Sequence, residues 1–327
     1  EKFITRIPMI SKMAIISPHG WFGQKGVLGR PDTGGQVVYI LDQIHYLERK
    51  LKEDLRLAGI NIKPTLFVIT RLIPDADNTS CDQEKEKIEG TDNCWIIREP
   101  FRDSSGDVVR HWISRFQIWP YLERFSYDVK KRCLEEFGSR PDVVIGNYSD
   151  GNLVATFLAK QLGVMQCNIA HALEKTKYVN SDLNWAELED HYNFSFQYTA
   201  DLYSMNMASF VITSTFQEIG GTSQTLGQYE SYKTFSMPDL YHIKNGVQLF
   251  HPKFNVIPPG VPENIFFSHK ETAKRDKETS ERLEDLIFYK VTDNTVGNYE
   301  DQNKPIVFSM SRLDKIKNLS GLVELYA

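Results

Sequence analysis

The hydrophobic and polar positions along the chain alternate between two periods. Short apolar runs typical of buried strands lie at residues 13–17, 65–69, 95–97, 142–145, 167–170 and 210–213. Between them, apolar residues recur every three or four positions, which predicts helices at 37–55, 120–137 and 153–162. The stretch 183–209, which contains many aromatic residues, is predicted to be a long helix. The polar segment 74–92 is predicted to be a solvated loop. The alternation of strands and helices predicts a doubly wound α/β domain with a parallel sheet.

The pattern changes after residue 255. Residues 268–304 are highly charged, which predicts a surface insertion, and the apolar run 305–309 predicts a new strand with a helix after it. We therefore expect one domain at 1–255. Residues 256–327 would be an interdomain segment, the insertion and the start of a second Rossmann-like domain. Because the chain begins at Glu1 rather than Met and stops inside this second unit, both termini are expected to be cuts in a longer protein.

Composition narrows the class of protein. The 327 residues are 41% hydrophobic and 25% charged, as in ordinary soluble proteins. A net charge of −5 without a long basic run argues against a nucleic-acid-binding protein, and no apolar run is long enough to span a bilayer. The cysteines form no C-x-x-C pair, which favours a reducing, cytoplasmic setting; they are Cys81, Cys94, Cys133 and Cys167.

Polar side chains stand at the carboxyl ends of four predicted strands. They are His19, Asn147 with Asp150, His171 and Thr215. In a parallel sheet all of them lie at one edge, which is where open α/β sheets bind ligands. A single histidine at a strand end is more often structural. Two histidines on one edge, beside a glycine pair, indicate a binding or catalytic site.

The loop between the first strand and the first helix contains that glycine pair. Gly34 and Gly35 allow a ligand to approach the backbone closely, and the free N–H groups at the helix start favour an anion. A tight strand–helix turn without a ligand explains the same residues, since the spacing matches neither G-x-G-x-x-G nor a P-loop.

Cations after the last predicted strand are further candidates. Arg312 and Lys317 are five residues apart, so both can reach one anion such as a diphosphate; the alternative is two solvated surface charges. Lys175 and Lys177 are also compatible with solvated charges. No set of His, Cys, Asp and Glu has metal-ligand spacing, so no catalytic metal is predicted.

Several motifs resemble those of the sucrose synthases. The hallmark is HALEKTKY at 171–178. The others are SPHG at 17–20, PDTGGQVVY at 31–39, WPYLE at 119–123, GNYSDGNLVA at 146–155, STFQE at 214–218 and SMSRLDKIKN at 309–318. Together they cover nearly all of the chain. Sucrose-phosphate synthases share the Gly-Gly loop but differ at the histidine loop, so they rank second.

The resemblance implies a retaining glycosyltransferase of the two-domain GT-B type. Its reversible reaction converts NDP-glucose and fructose to sucrose and NDP, with no essential metal and no cofactor. The nucleotide is UDP or ADP, and the sequence leaves open which one, as it leaves open the favoured direction and the oligomeric state. A homo-oligomer of the full-length protein is compatible with the sequence.

Site residues follow from the same resemblance. It implies that His171 contacts the glucosyl unit and that the diphosphate and sugar are bound by Gly34, Gly35 and Gln36. Fructose would be bound by His19, Lys177 and Arg115. The diphosphate would also be held by Arg312 and Lys317. The leaving diphosphate gains negative charge as the glycosidic bond breaks, so two fixed cations there stabilise the transition state more than the ground state. Proton transfer from the acceptor to the leaving phosphate on the same face gives retention without a protein nucleophile.

The resemblance also limits what these residues can do alone. The chain ends before the family's paired-glutamate motif and lacks the long amino-terminal regulatory part. We therefore expect an incomplete active site. A sugar-binding module without turnover is the non-enzyme alternative, and the reading frame after Ala327 distinguishes the two.

Overall fold

The computed structural model describes residues 10–171, 173–175, 184, 186–224, 226–232, 239–243, 264, 270–293, 297, 299, 301, 303–309 and 318–326. The chain divides into two compact units, Glu1–Gly260 and Val261–Ala327.

The described part of the first unit contains one eight-stranded sheet. Its strands are β1 Lys12–Ile16, β2 Thr65–Leu72, β3 Lys85–Lys87, β4 Cys94–Pro100, β5 Val143–Asn147, β6 Met165–Ile169, β7 Phe210–Thr213 and β8 Leu240–His242. The order across the sheet is β3-β4-β2-β1-β5-β6-β7-β8. Every pair is parallel except β3 with β4, which is antiparallel. The predicted doubly wound α/β fold is therefore confirmed.

Helices connect these strands. They are α1 Gly35–Leu57, α2 Leu122–Phe137, α3 Tyr148–Leu162, α4 Glu189–Tyr192, α5 Phe194–Met207 and α6 Phe216–Ile219. A 3₁₀ turn, Trp119–Tyr121, precedes α2. Gly138 and Gly163 end α2 and α3 in left-handed conformations, at the positions where the sequence predicted helix ends.

Both faces of the sheet are covered, and β1 shows how. Ile15 packs in a cluster with Ile40 and Ile44 of α1. Its neighbour Ile16 packs in a second cluster that contains Phe125 of α2 and Leu158 of α3. Successive side chains of a strand point to opposite faces, so the continuous apolar run of β1 supplies two cores. All four cysteines are buried within these cores or beside them.

Two sequence-based expectations for the first unit were wrong. Part of the predicted solvated loop is β3, whose Glu86 forms an ion pair with the fully buried Arg98 of β4. The strand lies at the sheet edge, where a polar sequence such as Lys-Glu-Lys is tolerated, so hydropathy gave no signal. The predicted long helix 183–209 is interrupted at Asn193, which adopts a left-handed φ of 53° between α4 and α5.

The second unit contains two α-helices among its described residues, α7 Lys277–Glu284 and α8 Leu319–Tyr326. The helix predicted from about Asn318 is therefore confirmed. A 3₁₀ turn, Thr272–Lys274, precedes α7, and a π-helical turn, Asp285–Tyr289, follows it. Residues 305–309 form no strand, although one was predicted there. A strand needs a partner for its backbone groups, and no described residue of this unit pairs with them. The described residues of the charged segment 268–304 are mostly exposed.

Across the described residues of both units, none of the helices combines the length and the apolar character needed to cross a bilayer.

Candidate functional site

The candidate site lies at the carboxyl ends of the central strands. β1 is flanked by β2 on one side and β5 on the other, both parallel to it. The chain leaves β1 toward β2 on one side and reaches β5 on the other, so β1 lies at the switch point where open α/β sheets bind ligands. His19 follows β1, Asn147 ends β5 and His171 follows β6, as the sequence predicted.

His171 is hydrogen-bonded to the end of the neighbouring strand. Its Nε2 lies 2.8 Å from Oδ1 of Asn147, and the amide nitrogen of Asn147 donates to the carbonyl oxygen of Ile16 at 3.4 Å. The amide oxygen can only accept, so Nε2 carries the proton of this hydrogen bond. One asparagine therefore connects the carboxyl ends of β1, β5 and β6.

Aromatic rings surround the two histidines. His171 stacks on Tyr148 with ring centroids 4.7 Å apart and 25° between the ring planes. Tyr39 of α1 meets His171 edge-on at 4.8 Å, and His19 meets Tyr148 edge-on at 5.3 Å. Tyr148 and His171 both have φ near 60°, a conformation that costs free energy for residues other than glycine. The surrounding contacts hold this stack in place despite that cost.

The imidazole of His171 is neutral near pH 7. Burial is the main reason and the adjacent His19 the second; together they lower the pKa of His171 to about 4. With its proton on Nε2, the other ring nitrogen Nδ1 has a lone pair. This histidine can therefore accept a hydrogen bond from a hydroxyl group at Nδ1, and it adds no positive charge.

His19 forms a buried pair with Asp150. Nδ1 of His19 lies 2.7 Å from Oδ2 of Asp150, and the two side chains are 4% and 1% exposed. Burial alone would raise the pKa of Asp150, but the charge and hydrogen bond of His19, together with the charge of Arg115, hold that pKa below its usual value. An ionised Asp150 only accepts, so Nδ1 of His19 donates and the carboxylate fixes the ring orientation.

The glycine pair begins α1. Gly34 is the N-cap residue, with the extended backbone angle φ −155°, and the helix starts at Gly35. A Cβ atom at either glycine would meet nothing within 4 Å, so the space beside this helix start is open. The first N–H groups of a helix have no partner inside it and favour anions. Gln36 is buried and its side-chain amide donates to the hydroxyl of Ser17, just after β1.

Two further glycines set how closely α3 packs at this edge. A Cβ at Gly151 would lie 2.8 Å from the carbonyl oxygen of Ile16, and one at Gly146 would lie 2.5 Å from Oδ1 of Asn152. Real Cβ atoms do not approach other atoms so closely. The absence of side chains at both positions allows the start of α3, with Asp150, to lie against the end of β1.

Arg115 lies at the same edge through a different loop. Its backbone N–H donates to Asp32 at 2.8 Å, and its Nη2 donates to Oε1 of Glu174 at 2.6 Å. The guanidinium carbon lies 5.6 Å from the ring centre of Tyr148. The guanidinium and the carboxylate are both buried, so each depends on the other for its charge.

The structure brings most of the predicted site residues to one edge. These are His19, His171, Gly34, Gly35, Gln36 and Arg115. Thr215, which also follows a strand, bonds to Glu218 at 3.4 Å within the α6 turn instead. Lys177, Arg312 and Lys317 lie outside the described residues. Among the described residues, no group of three or more His, Cys, Asp and Glu side chains could hold a metal ion.

Sequence reasoning missed several neighbours of the histidines. Tyr39 gave a usable signal, because it stands three positions after Gln36 and so on the same helix face. Tyr148 directly follows a strand end and could have been included on that ground. Glu174 and Asp201 gave no such signal, since their relation to Arg115 depends on how α5 packs.

The chain is similar to known proteins over its whole length. The family model described as "Sucrose synthase first GT-B domain" matches residues 1–288. The chain belongs to the sucrose synthase family. It is 56% identical over 328 residues to the sucrose synthase of Nitrosomonas europaea, covering 100% of this chain and 41% of that protein. It is 53% identical to sucrose synthase 2 of Zea mays, covering 100% of this chain and 40% of that protein.

The structural comparison agrees on fold. A sucrose-phosphate synthase structure from Thermosynechococcus elongatus matches with a TM-score of 0.50 and 20% identity, over 72% of this chain and 48% of that chain. At this identity the likeness shows the fold alone. With the family match, it confirms the GT-B type of α/β fold that the sequence resemblance implied. The chain spans about 41% of the sucrose synthase length that it matches in Nitrosomonas europaea.

Proposed function

We propose that the full-length protein is a sucrose synthase. It transfers glucose reversibly between a nucleoside diphosphate and fructose, with retention of the anomeric configuration and without a metal ion. In this proposal, the first unit contributes the groups that bind fructose. The observation that carries this proposal is the edge where two oriented histidines lie beside an open helix start. Sugar hydroxyls need fixed hydrogen-bonding groups and a diphosphate needs free N–H groups, and this edge has both.

Each group at the edge has a distinct task in this proposal. The neutral His171 accepts a hydroxyl of the glucosyl unit at Nδ1. His19, oriented by Asp150, and Arg115, held by Glu174, bind fructose. The N–H groups at the start of α1, with Gln36, bind the diphosphate and sugar. Lys177 on the acceptor side, and Arg312 and Lys317 at the diphosphate, complete the proposed set from outside the described residues.

In the proposed mechanism, catalysis comes from stabilisation of the leaving group and no protein nucleophile is needed. As the bond to the diphosphate or to fructose breaks, negative charge grows on the departing oxygen. Fixed N–H groups and cations stabilise that charge in the transition state more than in the ground state. The phosphate oxygen exchanges a proton with the fructose hydroxyl on the same face of the sugar, which leaves the anomeric configuration unchanged.

The test uses the protein encoded by the full reading frame. Incubation with sucrose and UDP or ADP should yield fructose and the nucleotide-glucose, and proton NMR should show the α-anomer as the first product. Comparison of UDP with ADP at equal concentration determines the base preference, and the same preparation gives the oligomeric state. We also propose a cytoplasmic location, because the cysteine pattern favours a reducing setting.

Two results would contradict this proposal. Transfer to fructose 6-phosphate in preference to fructose would indicate the sucrose-phosphate synthase reaction. Saturable binding of sucrose or fructose without turnover in either direction would indicate a sugar-binding module.

A further inference from the structure

A buried carboxylate outside the candidate site supports the loop that carries His171. Asp201 lies on α5 and is 3% exposed. Its Oδ2 accepts two hydrogen bonds, one from the hydroxyl of Tyr232 at 2.7 Å and one from the backbone N–H of Glu174 at 3.1 Å. The carboxylate therefore joins α5, the turn at Tyr232 and the loop after β6 at one atom.

Glu174 connects this carboxylate to the site. Its backbone is bonded to Asp201, while its side chain accepts from Nη2 of Arg115 at 2.6 Å. The same Nη2 lies 3.5 Å from the hydroxyl of Ser149, next to Asp150. A displacement of the Glu174 backbone therefore changes where the guanidinium of Arg115 is held.

The neighbouring residues of the loop are fixed to the same turn. The N–H of Leu173 donates to Gln228 at 2.9 Å, and the N–H of Lys175 donates to the hydroxyl of Tyr232 at 3.3 Å. The ammonium of Lys175 donates to the carbonyl oxygen of Ser231. Leu173 and Lys175 thus bond to one short segment, residues 228–232. Glu174 between them bonds to Asp201, which also accepts from the hydroxyl of Tyr232 in that segment.

Keeping an ionised carboxylate at this position opposes folding. Burial, and then the charge of Glu174, raise the pKa of Asp201 to about 7, although Tyr232, the Glu174 N–H and Arg115 act in the opposite direction. A polar group that costs stability but orders a loop beside a candidate site can serve positioning.

We propose that Asp201 is a positioning residue for the acceptor side of the site. It fixes the backbone at Glu174 and, through the Glu174 side chain, the guanidinium of Arg115. The inference rests on the proposed function, because it assigns Arg115 to fructose binding. Asp201 itself touches no substrate.

The experiment measures kinetics in the direction of sucrose synthesis with the full-length protein. Asp201→Ala removes both hydrogen bonds, Asp201→Asn keeps an acceptor oxygen, and Tyr232→Phe removes only the hydroxyl. We expect Asp201→Ala to raise the KM for fructose about tenfold and to change the KM for UDP-glucose less than twofold. Tyr232→Phe should raise the fructose KM severalfold, and Asp201→Asn should restore most of the parental value.

Asp142→Ala is the matched control. Oδ2 of Asp142 also accepts two backbone N–H groups, from Ser11 at 2.7 Å and Lys12 at 2.8 Å. These bonds lie at the amino ends of β1 and β5, on the opposite edge of the sheet. If the Asp201 variants acted only through a general loss of structure, Asp142→Ala should raise the KM for fructose by a similar factor. We expect instead that the KM for fructose of Asp142→Ala equals that of the parent.

The outcomes separate this inference from the function on which it rests. An inactive parent overturns both. An active parent whose fructose KM stays within twofold in Asp201→Ala and Tyr232→Phe overturns the positioning role alone, as do equal increases in both KM values or an equal effect of Asp142→Ala. If Asp201→Ala does not fold, Tyr232→Phe and Asp201→Asn still test the positioning role. A KM for fructose within twofold of the parent in Tyr232→Phe contradicts the inference.

Discussion

Nε2 of His171 donates to Oδ1 of Asn147 across 2.8 Å, between the ends of two adjacent parallel strands. The two residues are separated by 24 positions in the chain and meet only because β5 and β6 pair. The hydrogen bond fixes which ring nitrogen carries the proton, and burial keeps the ring neutral, so the acceptor at Nδ1 is available without titration above about pH 5.

Replacement of His171 by Ala should lower turnover of the full-length protein. We expect a loss of at least about tenfold in sucrose cleavage, or about 1.4 kcal/mol in the barrier, because the hydroxyl acceptor is removed. Steady-state rates with sucrose and UDP measure the effect. His191→Ala, which removes a histidine from α4, is the control and should keep the parental rate. Rates within twofold of the parent in His171→Ala would remove His171 from the site.

Removal of divalent ions should leave activity unchanged. The described residues contain no cluster that could hold a metal ion, and the proposed mechanism stabilises the diphosphate with N–H groups and cations instead. Sucrose cleavage is measured before and after exhaustive EDTA treatment and dialysis. A complete loss of activity that one divalent ion restores would contradict the prediction.

We predict that the side chains of Arg312 and Lys317 act on the diphosphate. Arg312→Ala and Lys317→Ala are each expected to reduce turnover by orders of magnitude, with a smaller effect on the KM for fructose, because charge develops on the phosphate in the transition state. These positions lie outside the described residues, so the prediction rests on the sequence. Lys315→Ala is the control from the same loop and should change turnover little. A large loss of turnover in Lys315→Ala together with a nearly unchanged turnover in Lys317→Ala would contradict the assignment of Lys317 to the diphosphate.

Glu99 should make stability depend on pH. Burial raises the pKa of this carboxyl to about 7, although Arg132 lies 3.9 Å away and opposes the shift. The folded state thus holds the proton more tightly than the unfolded chain. The free energy of unfolding should therefore fall as pH rises from about 4.5 to about 7.

Glu99→Gln should remove this dependence. The glutamine side chain is uncharged at all pH values, so the free energy of unfolding of the variant should match that of the parent near pH 4.5. At pH 8 it should exceed the parental value by up to about 3 kcal/mol, less the part that solvent screening removes. Urea unfolding at the two pH values measures the difference. Glu123→Gln, at an exposed position of α2, is the control. A gain that is equal at both pH values would contradict the assignment to Glu99.

The sequence predicted the parts of the fold that hydrophobic burial determines. β1 and β5 contain continuous apolar runs because both faces of these strands are covered, whereas β6 alternates apolar residues with the buried polar residues Gln166 and Asn168. The carboxyl ends of the three strands gave His19, Asn147 and His171 directly. β3 was missed because an edge strand needs no apolar pattern. The break at Asn193 was missed because it depends on the left-handed backbone of one residue, which the pattern of apolar residues does not report.

The partners within the site were harder to predict than its members. Asp150 was recognised as a strand-end residue, but its contact with His19 depends on two segments 131 residues apart. The contacts of Glu174 with Arg115 and Asp201 depend on the packing of α5 against the sheet. Such pairs follow from strand order and helix placement, which the period of a single sequence does not contain.

The four glycines at this edge differ in what a side chain at each position would displace. A methyl group at Gly34 or Gly35 would enter open space, so it would take volume from a ligand and leave the protein scaffold as it is. A methyl group at Gly151 would displace the start of α3 from β1, and one at Gly146 would displace it from β5, so either change would disturb the contact of Asp150 with His19. Variants intended to change ligand binding should therefore alter the first pair and keep the second pair constant.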